Sequence, residues 1–376
     1  MKTFKSVPAF AALALFTAGS PATAQENDFV FYSELARAWY EAGSYFEWQS
    51  TTENNNGAVV DVHYRTFGDP EDPQLLLVHG YPRSSFDYEE MIVYLQDDYY
   101  IATLDFPGFG FSEKPLNDYS YMLEDDARLL DFFVREIVEF DDFAMFTHDR
   151  GVSVGLAFLG HYLDEDRPYT INYHFLSNSG MFLPLANLVP GQRVLLDPVR
   201  GPAAIAELKS RPRQTEGDPE SLAYADIQAF NDGIGARLHV GKYLLERVAN
   251  EYRWLDNLPR SPIPVAYVWG ALDPVNPLRT ANYVWAEYLN ERDVESSFWV
   301  LPTASHYPQR DRPAELARIV NLALSGGVPS QEDGDDFMWT WNRQRTEHDA
   351  IFIGHSIIRE MEFEGAVEYT PQGYRY

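Results

Sequence analysis

The chain of 376 residues contains no cysteine. That excludes disulfides, Cys-ligated metals and a cysteine-linked lipid anchor. A chain of this length buries enough surface to stand without such staples, even outside the cytoplasm. Basic residues are also scarce: 29 Lys and Arg face 57 Asp and Glu, for a formal charge of −28. Such a surface favours solubility, repels nucleic acid and anionic lipid, and weakly disfavours small anionic substrates. Beyond the first residues no apolar run is long enough to span a bilayer of ~30 Å.

The amino end carries a different signal. Lys2 and Lys5 precede the short apolar run "VPAFAALALF", and "ATA" (residues 22–24) is a small-residue cleavage pattern. Residues 1–24 are expected to be a signal peptide, cleaved after Ala24, sending the protein to a periplasm or the exterior. The leader takes two lysines and no acid with it, so the mature chain is more acidic still.

The remainder alternates apolar runs with amphipathic stretches. Strands are expected over Val59–Phe67, Gln74–Gly80, Tyr99–Phe106, Phe143–Asp149, Ile171–Asn178, Pro264–Gly270 and Ser296–Pro302. Helical patterns cover Met122–Phe140, Val152–Leu163, Leu278–Leu289 and Ala314–Leu324. This order predicts an α/β fold, a mostly parallel doubly wound sheet covered on both faces. Residues 182–261 show helical patterns and no clear strand, too long for an ordinary connection, and read as a helical lid inserted in the core. The core is therefore expected in two parts, 25–181 and 262–326, followed by a C-terminal extension over 327–376 that reads as an aromatic appendage packed on the core.

Ligands of open α/β sheets sit beyond the carboxyl ends of the strands. Asp149 ends "FAMFTHD", Asp273 follows "YVWG", and His306 follows "WVLPTAS". Nucleophile, acid and histidine in that order are the chain order of the α/β-hydrolase fold. "LLLVHGYP" ends where that fold builds half of an oxyanion hole, so the expected donors are the backbone N–H groups of Tyr81 and Arg150. Thr147 stands where the nucleophile turn normally has glycine, which predicts a slightly open elbow.

"DFPGFGFSEKP", "THDRG", "LSNSGMF", "GALDPVNP" and "SHYPQ" together resemble the α/β hydrolases with an aspartate nucleophile, the epoxide hydrolases and the haloalkane and fluoroacetate dehalogenases. Within that group the chain is most similar to proteins related to mesoderm-specific transcript protein. The resemblance covers about residues 59–324. It implies a cofactor-free and metal-free hydrolysis of a small molecule in two steps. Asp149 forms an alkyl ester, and a water activated by His306 then hydrolyses it, with Asp273 orienting the imidazole. Haloalkane dehalogenases hold the halide with a Trp and an Asn at the positions occupied here by Arg150 and Tyr81, so both donors are missing. Epoxide hydrolases carry an aromatic where Tyr81 stands and use lid tyrosines as proton donors. Of Tyr224, Tyr243 and Tyr252, Tyr243 matches the family's lid tyrosine. Epoxide hydrolysis to a diol is thus the expected reaction. A dehalogenase acting on an activated C–halogen bond and a catalytically silent binding relative are the alternatives. Fluoroacetate dehalogenases share "HDRG" and bind a carboxylate through its arginine, which leaves Arg150 open to an anionic substrate. His79 and His148 read as structural residues, Asp105 as a loop brace and second choice to Asp273, and "EDGDD" (residues 332–336) as a solvated run rather than a Ca²⁺ loop.

Overall fold

The computed structural model describes residues 29–116, 119–330, 332–342, 368–370 and 373–375. The expected leader lies outside these residues. Nine strands form one sheet: β1 (Ser44–Gln49), β2 (Val59–Phe67), β3 (Gln74–Val78), β4 (Tyr100–Leu104), β5 (Asp142–His148), β6 (Thr170–Ser177), β7 (Val265–Gly270), β8 (Ser296–Leu301) and β9 (Met338–Trp341). Their spatial order is β1-β2-β4-β3-β5-β6-β7-β8-β9. Pairing is parallel from β4 to β8 and antiparallel at β1–β2, β2–β4 and β8–β9. A separate antiparallel hairpin joins Glu368–Thr370 to Gly373–Arg375.

The continuous apolar runs of β3, β5 and β7 follow from burial on both faces. Side chains alternate across the sheet, so Leu76 and Val78 join one apolar cluster while Leu75 and Leu77 join the other. Helices α1 (Glu34–Glu41), α2 (Glu89–Val93), α3 (Leu123–Phe132) and α4 (Arg150–Asp164) come before the insertion. The insertion holds α5 (Pro190–Leu195), α6 (Arg200–Ser210), α7 (Pro219–Ala229), α8 (Gly233–Val240), α9 (Tyr243–Leu255) and α10 (Asn257–Arg260), with no strand between β6 and β7. Helices α11 (Leu278–Val284), α12 (Pro308–Asp311) and α13 (Pro313–Ser325) complete the core. Among the described residues no helix is long and apolar enough to cross a membrane.

Two strands go beyond the expectations, and one expectation needs correction. The extension supplies an edge strand, β9, to the main sheet, pairing Trp339 with Trp299. Strand β1 was not anticipated. The acidic run is only partly solvated, because Asp333 is 3 % exposed and ion-paired with Arg318. No group able to hold a metal ion occurs among the described residues.

The amino-terminal segment is tied to the insertion. The backbone N–H groups of Tyr32 and Ser33 each donate to Asp226 Oδ2 of α7 at 2.7 Å. Arg213 lies over the rings of Phe29 and Tyr32 at 4.6 and 4.3 Å.

Candidate active site

Asp149 sits between β5 and α4 with φ 50° and ψ −115°, a conformation that turns its side chain off the strand end. Two glycines make room for this turn. A Cβ on Gly80 would lie 2.5 Å from Asp149 Cβ, and one on Gly151 would lie 2.6 Å from the carbonyl oxygens of Val78 and His79. The expected opening at Thr147 is absent. The β5–β6 register runs unbroken from Ala144 to His148↔Ser177. The Thr147 hydroxyl donates to the Phe175 carbonyl at 3.0 Å, and its methyl faces Gly155, where a Cβ would come within 2.7 Å of it. A glycine one turn into α4 thus makes the space that a glycine at 147 would have given.

The three strand-end residues converge. Asp149 Oδ2 faces His306 Nε2 at 3.6 Å, and His306 Nδ1 donates to Asp273 Oδ2 at 2.8 Å. Asp149 Oδ1 accepts the Tyr81 backbone N–H at 2.7 Å. Arg150 opens α4, where a backbone N–H has no intrahelical acceptor. Burial alone would lower the His306 pKa, but the hydrogen bond to Asp273 and the charge of Asp149 outweigh it and raise it above the usual imidazole value. Burial opposes ionisation of Asp273 too, yet His306 and the Asn276 N–H hold its carboxyl below the ordinary range.

The supporting shell contains residues that no motif announced. Asn178 donates to Asp273 Oδ2 at 2.9 Å and accepts the Gly270 N–H at 2.7 Å, tying the ends of β6 and β7 together. Asn276 donates its backbone N–H to Asp273 Oδ1 at 2.9 Å. Both lie in segments that the family resemblance covers, "LSNSGMF" and "GALDPVNP", which was the available signal. His148 Nε2 donates to the His306 carbonyl at 2.7 Å while its Nδ1 accepts from Gln309 at 3.3 Å, an arrangement open only to neutral imidazole. Burial keeps it so, pushing the His148 pKa down to about 4. His79 bridges Gly80 O and the Phe106 N–H, and Asp105 accepts the N–H groups of Ser85 and Phe111.

The other expected residues separate. Arg150 is fully buried, its guanidinium ion-paired with Asp126, and so is not open to an anionic substrate. Burial pushes the Asp126 carboxyl up to about 7 against the pull of Arg150. Tyr224 donates to Asp87 at 2.6 Å, and Tyr252 is 56 % exposed. Tyr243 packs its ring 5.4 Å from that of Tyr81, with the Arg247 guanidinium 4.9 Å from its face.

A largely apolar cavity of about 720 Å³ lies between the core and the insertion. Its base includes Tyr81, His306 and Tyr307, and its walls include Val194, Leu195 and Ile205. Asp149 and Tyr243, 4 % and 2 % exposed, are not on its wall. The carboxylate is therefore not bare to the cavity, which meets instead the imidazole and the loop residue that hold it.

A strand-end carboxylate facing a histidine that is itself bonded to a buried acid, on an open parallel sheet with a helical insertion, defines the α/β-hydrolase arrangement. The chain belongs to the α/β hydrolase family, whose match spans residues 75–319, and it is a hydrolase. It is 33 % identical to the Mycobacterium tuberculosis hydrolase LipZ, over 76 % of this chain and 96 % of that one. It is 27 % identical to the human mesoderm-specific transcript homolog protein, over 75 % and 85 %. It is also 27 % identical to haloalkane dehalogenase 2 of M. tuberculosis, over 69 % and 90 %. In fold it is similar to haloalkane dehalogenase DbeA from Bradyrhizobium elkani, with a TM-score of 0.60 at 19 % identity, over 76 % of this chain and 98 % of that structure.

Proposed function

We propose that this hydrolase opens an epoxide to a diol through a covalent ester on Asp149. One observation carries the reading: Asp149 presents one carboxylate oxygen to His306 and the other to the Tyr81 N–H, and among the described residues no cation other than that histidine is paired with it. A carboxylate so placed suits displacement at an sp³ carbon. Asp149 Oδ2 attacks the epoxide carbon, the ring C–O bond breaks, and the nascent alkoxide takes the proton of the Tyr243 hydroxyl. Burial raises the Tyr243 pKa, which keeps that proton in place at neutral pH. Substrate reaches the carboxylate when the Tyr81–Tyr243 ring pair parts.

In the second step His306 Nε2 takes a proton from water as its oxygen attacks Asp149 Cγ. The oxyanion at Oδ1 is held by the N–H groups of Tyr81 and Arg150. Collapse breaks the ester C–O bond, and the alkoxide leaves with the proton held by His306. The proton left on Asp149 returns the Tyr243 phenolate to phenol, so epoxide plus water gives diol. For a halide, the Arg150 side chain is fully buried and ion-paired with Asp126, and Tyr81 has no side-chain N–H. These two positions thus disfavour the dehalogenase reading. Export by the leader over residues 1–24 belongs to the same proposal.

The test is His306→Gln incubated with 1,2-epoxides and haloalkanes, followed by intact-mass and peptide analysis of protein recovered from an export host. Alkylation proceeds and hydrolysis stops, so the expected product carries one epoxide mass on the Asp149 peptide and begins at Gln25. Unmodified protein with every compound that the wild type turns over would refute the ester. A retained leader would refute export.

A further inference from the structure

Among the described residues, one charge in the cavity has no counter-charge. Glu207 and Arg211, both on its wall, bind each other at 2.7 Å. Arg237, on α8, also lines the cavity, yet its electrostatic neighbours among the described residues are the phenols of Tyr81 and Tyr307, not a carboxylate. In a chain with 57 acids and 29 bases, an arginine left without an acid in an apolar cavity is against the statistics of the molecule. Desolvation without a counter-charge is costly, and its effect is visible as a lowered Arg237 pKa.

We infer that the substrate carries a carboxylate on an apolar body, and that Arg237 receives this carboxylate inside the cavity. The inference rests on the epoxide reading for the reacting group only. The anion site itself rests on the cavity and its unmatched cation. Both electrostatic neighbours of Arg237 flank the reacting centre. The Tyr81 N–H binds Asp149, and the Tyr307 ring packs 4.7 Å from the His306 ring. The carboxylate therefore lies near the electrophilic carbon, and the apolar body runs along Val194, Leu195 and Ile205. A single guanidinium balances a single negative charge and suits the fork of a carboxylate. A phosphate monoester carries nearly two charges and would leave one unmatched in an apolar cavity. Arg150, which the "HDRG" motif left open to this task, is fully buried and ion-paired with Asp126.

Two measurements test the site. In the first, calorimetry compares dodecanoate with 1-dodecanol, neither of which can react. The wild type is expected to bind the acid ~10- to 100-fold more tightly, Arg237→Gln to lose that difference, and Arg237→Lys to keep most of it. Equal binding of acid and alcohol by the wild type, or a difference that survives Arg237→Gln, overturns the inference. In the second, diol formation compares 2,3-epoxydodecanoate with its methyl ester. The acid-over-ester ratio of kcat/KM is expected to fall to near one in Arg237→Gln, and an unchanged ratio counts against the site. Should Arg237→Gln not fold, the wild-type comparison and Arg237→Lys still decide. Adducts on Asp149 from a neutral epoxide without any acid preference sink the anion site alone. An acid preference in the binding measurement without any adduct sinks the ester alone.

Discussion

His306 stands between two carboxylates, and the proposed chemistry abolishes the charge of one of them. In the free enzyme Asp273 and Asp149 together raise the His306 pKa. Ester formation neutralises Asp149, so the imidazole then falls back toward its ordinary value of ~6.5 and becomes a free base when a base is needed. The sign is testable. Histidine NMR should place the His306 midpoint above ~6.5 in the wild type and lower in Asp149→Asn, whose amide mimics the neutral ester. The acid limb of kcat should lie below the free-enzyme midpoint, with turnover rising as pH climbs through the ester-form value. Asp273→Asn should lower the same midpoint and cut turnover on the order of 10²- to 10⁴-fold. A kcat limb at or above the free-enzyme midpoint would contradict this sequence of events.

The convergence of Asp149, Asp273 and His306 was legible because each follows an apolar run that reads as a buried strand. Asn178 and Arg237 were not. Their importance comes from neighbours about 90 residues away or across a cavity, a relation no local spacing encodes. Thr147 misled for the same reason, since the space for it lies at Gly155.

At the scale of elements, the strands in mid-sheet were readable and those at its edges were not. Strand β2 spans the expected Val59–Phe67, and β5 and β6 each lie one residue toward the amino end of their expected spans. Strands buried on both faces announce themselves as apolar runs. Strand β1 mixes polar with apolar residues, β9 has only four residues, and both are defined by partners elsewhere in the chain. What holds β9 is aromatic packing: Phe337, Trp339 and Trp341 surround Trp299, with ring centroids 5.6, 6.3 and 5.9 Å away. Phe337 is fully buried, so Phe337→Ala should cost roughly 3–5 kcal/mol in urea denaturation. A loss below about 1 kcal/mol would mean that this stretch contributes little to the core.

Over the whole molecule, the insertion is held unevenly. Helix α9 buries Tyr243, Leu244, Arg247, Glu251, Trp254 and Leu255, whereas α5 buries no residue and α6 only Gly201 and Ile205. Fewer buried contacts mean easier local opening. Amide hydrogen exchange should therefore be faster across α5 than in the interior of α9, and equal protection would refute the difference. The acidic surface, by contrast, was plain in the composition and concerns solubility more than architecture.

The strap at Tyr32 and Ser33 gives this unevenness a direction. With Tyr32 and Ser33 buttoned to Asp226, the covering helices are hindered from swinging away as one door. Traffic is left to the slackest hem, the turns that begin at Pro190 and Arg200, and whatever enters there meets Arg237 and the Tyr81 ring on its way to the buried acid.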